Sequence, residues 1–451
     1  MTMAKPPAAA NIYRPPGYPL LGHIPPFLKD KLQFLESCIA AEAPVVELSL
    51  GRPTYLLNNP ADIQHVLEVN HSAYTKTLRL TSRRGKRLSG EGLLTSSGTA
   101  HLRQRRLLQP VFRQGTIAGF ADAMVAGCHQ MLERWRDGAQ LDIASEMMGL
   151  AHRNIGKILF NADFWGQDHR LGEAILVRRE YIQYLFSALL PFAEHVPNSI
   201  NRRYRRAIEH IDDAIAAGIR QRQTNPTSYG DLLSLLVQAR YRDGSGMDAS
   251  LIRDEALTIS VTGYETIGEA LTWSWYLIAR HPDVAARLRA EVDRVLQGQP
   301  PSLGHLPQLV YTRQILDEAM RIYPPTWIYI RMAQQTDTLP SGVTLPAGSK
   351  LYLCPYVVQR NPHLFPEPHR FDPTRFEKTA SQHRPRFAYF PFGGGPRVCI
   401  GQALAEMEGV LMLAQIAQVF RLSLCSERPA VPEPGITLRP RGGLPMRLQQ
   451  R

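Results

Sequence analysis

Apolar residues recur at spacings of three and four from about residue 99 to 300, which predicts a central helical assembly broken at Gly138, Gly166, Pro191, Pro197, Pro226 and Gly244 to Gly246. Its longest member runs from about Ala249 to Arg280, roughly 48 Å at the α-helical rise. It ends before His281-Pro282, where Pro282 can open the next helix. Ahead of this block, the proline-rich stretch from Tyr13 to Pro26 reads as an extended strap. The runs at 45–50 and 54–57, separated by Gly51-Arg52-Pro53, predict a two-stranded hairpin, and Pro60 opens a helix through Val69. Short strands and Gly/Pro turns follow at 335–360, an irregular proline-rich stretch at 361–398, and helical spacing again at 400–420. Neither repeats nor low-complexity linkers interrupt the pattern. The expectation is a flexible tail over 1–12 and one large fold over 13–451, mainly α with small β-sheets.

Composition narrows the class. With 451 residues, 44% of them hydrophobic, the chain can bury a large core, which excludes wholesale disorder. The net charge of +12 comes from 44 Arg and 8 Lys against 40 acidic residues. Such a balance fits nucleic acid, an acidic protein partner, an anionic membrane surface or simply a solvated arginine-rich exterior. No block of five or six like charges favours the first. Five cysteines without a Cys-x-x-Cys pair argue against a disulfide framework or a zinc ribbon and for a reducing, cytoplasmic setting. No stretch of 18 apolar residues offers a transmembrane anchor.

One cysteine stands apart. Cys38, Cys128, Cys354 and Cys425 read as small buried hydrophobes, whereas Cys399 lies in Phe390-Pro391-Phe392-Gly393-Gly394-Gly395-Pro396-Arg397-Val398-Cys399-Ile400-Gly401, just before an apolar helix. Unpaired amides at a helix start favour a thiolate, Arg397 adds a fixed positive charge, and three glycines let backbone approach a flat ligand. The stretch resembles the haem-binding loop of the cytochrome P450 superfamily, Phe-x-x-Gly-x-Arg-x-Cys-x-Gly, matched at Phe392, Gly395, Arg397, Cys399 and Gly401. The resemblance implies Cys399 as axial thiolate of haem b and as the sole protein ligand to the metal. Electron donation from that sulfur favours O–O cleavage.

Other segments gain meaning from the same resemblance. Glu318 and Arg321 share a helix face, a spacing that at Glu133/Arg136, Glu291/Arg294 and Glu367/Arg370 reads as solvated pairs or loop residues. Followed by Phe371-Asp372-Pro373-Thr374-Arg375-Phe376, however, they look like the family's buried triad of Glu318, Arg321 and Arg375, a scaffold for the cysteine loop. Thr262-Gly263-Tyr264-Glu265-Thr266 in the long helix reads either as a kink with a solvated Glu or, by resemblance, as the acid-alcohol pair that relays protons. Glu265 and Thr266 would then be catalytic, with Gly263 beside the cofactor. His101 and Arg105, one helical turn apart, would meet haem propionates together with Arg331 and Arg397. Family topology points to Leu94, Phe186, Ile259, Thr262, Trp327, Ile328 and Ile436 as substrate contacts.

These implications add up to a soluble haem-thiolate monooxygenase of secondary metabolism. It would use dioxygen to hydroxylate or epoxidise a small apolar molecule of terpene, fatty acyl or polyketide class. The 52 residues after Cys399 are too few for a reductase domain, so electrons would come from a separate ferredoxin or flavodoxin and its NAD(P)H reductase. Arg103, Arg106, Arg113, Arg384 and Arg386 are candidates for docking that acidic carrier, with no nucleic acid involved. The alternatives are a P450-fold enzyme without net oxygenation, such as a peroxygenase, dehydratase or isomerase, and a haem-based sensor or carrier.

Overall fold

The long helix forms over Ala249–Arg280, with the Asp248 side chain capping its start by accepting from the Leu251 amide at 2.8 Å. Pro282 opens the next helix, Pro282–Leu296. The computed structural model describes residues 12–41, 43–76, 86, 89–187, 196, 198–225 and 230–451. Most of the expected tail, residues 1–11, therefore lies outside the described residues, and Ile12 belongs to a strand. The chain divides into two compact units, one of Met1–Leu78 with Asp317–Cys399 and the other of Arg79–Leu316 with Ile400–Arg451.

In chain order, the helices that carry the argument are α1 (Gly98–Leu108), α2 (Ile143–Phe160), α3 (His169–Ser187), α4 (Ala249–Arg280), α5 (Pro282–Leu296), α6 (Val310–Ile322) and α7 (Gln402–Val419). Within the second unit α4 packs along α2. Two glycines permit the close approach: a Cβ on Gly263 would press on the Ile155 side chain at 2.7 Å, and one on Gly268 would meet the Met148 backbone at 3.1 Å. α7 is apolar on all sides and buried from Leu404 to Ala417 almost without interruption, as an all-round hydrophobic helix must be. Glu291 of α5 departs from the solvated pairing expected with Arg294. It is buried and accepts from the Tyr311 and Thr312 amides at 2.7 and 2.8 Å, satisfying the open start of α6.

The helical pattern hid this unit's strands. Phe420–Leu424, Pro445–Gln450 and Gln140–Asp142 form a three-stranded antiparallel sheet, and Pro432–Pro434 pairs with Leu438–Pro440 in a hairpin. Trp273 of α4 donates its indole N–H to the Leu438 carbonyl at 2.8 Å, tying that hairpin to the helix.

The first unit is built on a six-stranded sheet. Its strand order is Ile12–Tyr13, Val45–Ser49, Pro53–Leu57, Lys350–Leu353, Tyr329–Ala333 and Tyr74–Lys76. The expected hairpin is present, with Val45 opposite Leu57. The proline-rich strap is less extended than expected, because a helix starts at Ile24 with prolines in its first turn, where no amide is missed. The helix opened by Pro60 continues as a π-helical turn over His65–Val69.

Candidate functional site

The cysteine loop lies in the first unit and is held by its own backbone. The Cys399 amide donates to the Phe392 carbonyl at 2.9 Å and the Val398 amide to Gly395 at 3.0 Å. Cys399 is exposed and precedes the first residue of α7 by three positions. Two of the three glycines are held against neighbouring protein atoms. Gly394 is packed on the Phe387 ring and Gly395, at φ +63°, on the Leu67 carbonyl, so tightly that a Cβ at either would overlap its neighbour. Protein packing demands glycine at these two positions.

The surface carrying Leu67 is itself fastened. His65 Nε2, Asn70 Nδ2 and Tyr74 OH converge on Asp337 Oδ2 at 2.8, 2.9 and 2.6 Å. These bonds outweigh partial burial and hold the Asp337 carboxyl below its ordinary range.

Glu318, Arg321 and Arg375 come together in the same unit. Glu318 and Arg321 are fully buried and doubly bonded at 2.6 and 2.8 Å, with Arg375 Nε 3.5 Å from Glu318. Arg321 also donates to the carbonyls of Gln359 and Pro368, each at 2.8 Å. Gln359, which the sequence did not single out, links this cluster to the loop. Its amide donates to the Met320 and Arg321 carbonyls, and its Oε1 accepts the Phe390 amide at 3.0 Å. Tyr329 donates to the Pro391 carbonyl at 2.6 Å, and burial together with the Cys399 sulfur raises its phenol.

A second basic residue pairs with Arg331. Lys76 faces Arg331 directly across two antiparallel strands, and its ammonium is held well below the usual lysine range by desolvation and by the charges of Arg397 and Arg331. Two guanidinium charges that disfavour a buried ammonium suit an anion between them. The residues therefore fit a cofactor bearing carboxylates, and Lys76 joins Arg331 and Arg397 as a candidate to hold them. The sequence signal for Lys76 was faint, a lone Lys at the end of a short strand.

The acid-alcohol segment lies in the second unit on a continuous α4. The Thr262 and Thr266 hydroxyls bond back to the Thr258 and Thr262 carbonyls at 2.7 and 3.1 Å. Glu265 is buried and not solvated. Arg179 of α3 reaches its Oε1 at 3.0 Å, and the Thr437 hydroxyl donates to the same oxygen at 2.8 Å. Neither partner was foreseen, since residues 86 and 172 positions away leave no local signal. His101 is buried and Arg105 half-buried, one turn apart on α1.

The expected substrate contacts fall in varied surroundings. Ile259 and Trp327 are buried, and Ile328 is half-buried, whereas Thr262, Leu94 and Ile436 are exposed. The Phe186 side chain lies outside the described residues, as does much of 78–94 and 181–193. Among the surface arginines, Arg106 and Arg113 are exposed. Arg384 is not available for docking, because it stacks over Phe365 and Phe376 and donates to the Arg375 carbonyl at 2.6 Å. Arg386 pairs with Glu68 and Arg103 with Asp243. Cys425 is exposed rather than buried, at the end of an outer strand. No helix is long and apolar enough to cross a membrane among the described residues.

The cytochrome P450 family model matches residues 13–444, and the chain belongs to the cytochrome P450 family. It is a haem-thiolate monooxygenase, which takes its electrons from a redox partner, uses dioxygen and acts on an apolar substrate. Cyclooctatin synthase from Streptomyces melanosporofaciens is 36% identical over 435 residues, covering 95% of this chain and 91% of its own. Pentalenene oxygenase from Streptomyces avermitilis is 32% identical over 431 residues, covering 94% and 92%. The crystal structure of the cytochrome P450DA heme domain matches with a TM-score of 0.87 at 25% identity, over 98% of each chain.

Proposed function

We propose that this monooxygenase hydroxylates or epoxidises a terpene. The observation that carries the substrate class is identity of about a third, along nearly the whole chain, to cyclooctatin synthase, to cyclooctat-9-en-7-ol 5-monooxygenase and to pentalenene oxygenase. The exposed apolar residues Leu94 and Ile436 and the buried Ile259 and Trp327 suit such a substrate. Residues 13–451, both units together, would act as one catalytic domain.

Cys399 holds the iron of haem b, which when bound supplies the activation of dioxygen. Lys76, Arg331, Arg397, His101 and Arg105 hold its carboxylates, with Phe392, Gly263 and Gly401 beside it. Glu318, Arg321 and Arg375 are structural, and through Gln359 they fix Phe390 at the start of the loop. Glu265 and Thr266 carry protons, with the Thr266 hydroxyl as the last donor. Thr266 beside Glu265 favours net oxygenation over peroxygenase, dehydratase or isomerase chemistry. Electrons come from a separate ferredoxin or flavodoxin and its reductase in the cytoplasm.

The test is a panel of terpene, fatty acyl and polyketide probes, pentalenene among them. Each is scored for displacement of the iron-bound water and for an oxygenated product by mass spectrometry with a ferredoxin and its reductase. Conversion confined to terpenes supports the reading, and conversion confined to another class overturns it. The reduced, carbon monoxide-treated protein should show a strongly red-shifted Soret band that Cys399→His abolishes.

A further inference from the structure

A cleft of about 720 Å³ lies within the second unit, bounded by α2, α3, α4 and the C-terminal strands. Its wall mixes apolar side chains, Met148, Phe164, Trp165 and Leu176 among them, with His152 from α2, Glu173 and Arg179 from α3, and Glu433 and Arg439 from the strands, and it is open and polar enough to admit water. α4 contributes a single residue to the wall, Glu269. This side chain is only 3% exposed and makes no hydrogen bond among the described residues. It lies one helical turn beyond Glu265, at the spacing that brings two side chains together on a helix face. Arg179 lines the same cleft and binds Glu265 through Oε1, the oxygen that Thr437 also reaches. The other carboxylate oxygen, Oε2, carries no hydrogen bond among the described residues.

We propose that Glu269 takes up protons from the water of this cleft and passes them to Glu265, supplying Thr266. The proposal rests on the reading of Glu265 and Thr266 as proton carriers. The Glu269 carboxylic acid gives its proton to Oε2 of the Glu265 carboxylate, directly or through one water. The Glu269 carboxylate left behind is reprotonated from the cleft, and no electron moves. Its surroundings suit a donor. Burial, with Glu265 and Asp142 raising and Arg179 and Arg439 lowering, pushes the carboxyl to about 8, so the acid form prevails at neutral pH. His152, pushed down to about 4 by burial, stays neutral and does not compete. Glu433, Glu173 and His169 line the other walls of the same cleft.

Two measurements test this, on wild type, Glu269→Gln, Glu269→Asp and Glu265→Gln matched for haem content and unfolding temperature. Infrared difference spectra across a pH series report protonated carboxyl groups without any turnover. Glu408 also titrates near pH 8 in every variant, so the expected signal is a further carboxylic acid component, near pH 8 in wild type, shifted to lower pH in Glu265→Gln and missing from Glu269→Gln. Its persistence in Glu269→Gln overturns the proposal. Oxygen uptake by the haem-loaded enzyme, with a ferredoxin and its reductase, should slow several-fold in Glu269→Gln, with a larger effect of ²H₂O and partial recovery in Glu269→Asp. Unchanged uptake and pH profile in Glu269→Gln, with Glu265→Gln impaired, sinks the role of Glu269 alone. Unchanged uptake in Glu265→Gln shows instead that the underlying reading of Glu265 is wrong.

Discussion

Lys76 and Arg331 stand opposite each other on neighbouring antiparallel strands. Like charges in that position destabilise a sheet, and Arg397 adds to the repulsion on Lys76. An unfavourable arrangement kept inside a folded unit is compensated when an anion binds. Replacing Lys76 by Met should therefore raise the unfolding temperature of the haem-free protein, by about 1 kcal/mol of stability, while speeding loss of haem to a scavenger globin. Thermal unfolding of the haem-free and haem-loaded forms, with the rate of haem transfer, checks both signs.

Glu318 balances Arg321 at full burial, with Arg375 at the edge. Glu318→Ala would strand the Arg321 guanidinium and should cost about 3–5 kcal/mol, enough to abolish soluble expression. Arg375→Lys, at a partly exposed position, should cost about 1 kcal/mol. Urea unfolding of the purified variants measures the difference.

Glu408 of α7 is wholly enclosed and accepts only from Asn154 Nδ2, at 2.8 Å, among the described residues. Burial pushes its carboxyl to about 8 from an ordinary 4.5. The fold thus holds the proton more tightly than the unfolded chain, and stability falls as pH rises between those two values, by at most about 1.4 kcal/mol per pH unit for this one group. Glu408→Gln should flatten the curve over that window and be the more stable form above it. Denaturant midpoints measured at pH values across the window test this.

Asp337 has the opposite sign. Its carboxyl is held below the ordinary range by His65, Asn70 and Tyr74, so its contribution is present near neutrality and lost as pH falls through the folded value. Asp337→Asn should cost about 1–3 kcal/mol at pH 7 and nothing extra in strong acid. The variant's unfolding curves at the two pH values decide it.

Thr266→Ala leaves the helix intact, because among the described residues the hydroxyl bonds only back to Thr262. It should divert most consumed oxygen to peroxide while substrate binding holds. Peroxide and product yields per oxygen consumed report the split, and unchanged yields would remove Thr266 from proton delivery.

What the sequence made legible was local. The bounds of α4 followed from Asp248, Pro282 and the apolar period between them. Membership of the family followed from residues crowded between Phe392 and Gly401. Contacts that join distant segments were not readable: Gln359 to Phe390, Arg179 and Thr437 to Glu265, and Asp337 to three residues more than 260 positions earlier. The strands after Phe420 were missed because each offers at most six residues, several of them proline or arginine, too few for a period of two to stand out. The glycines of the loop were noticed, but their neighbours Phe387 and Leu67 could not be guessed from spacing.

The hairpin at the C-terminal end is tied to α4 twice, by Trp273 at Leu438 and by Thr437 at Glu265. On the proposed assignments of Ile436 as a substrate contact and Glu265 as a proton carrier, the tip between its strands, residues 435–437, is where a new substrate preference would be selected. One of those three residues is also a hydrogen-bond donor to the helix carboxylate. Altering selectivity there therefore alters proton chemistry in the same mutation, and a lineage that changes its substrate through Thr437 must re-tune Glu265 before it recovers efficient use of oxygen.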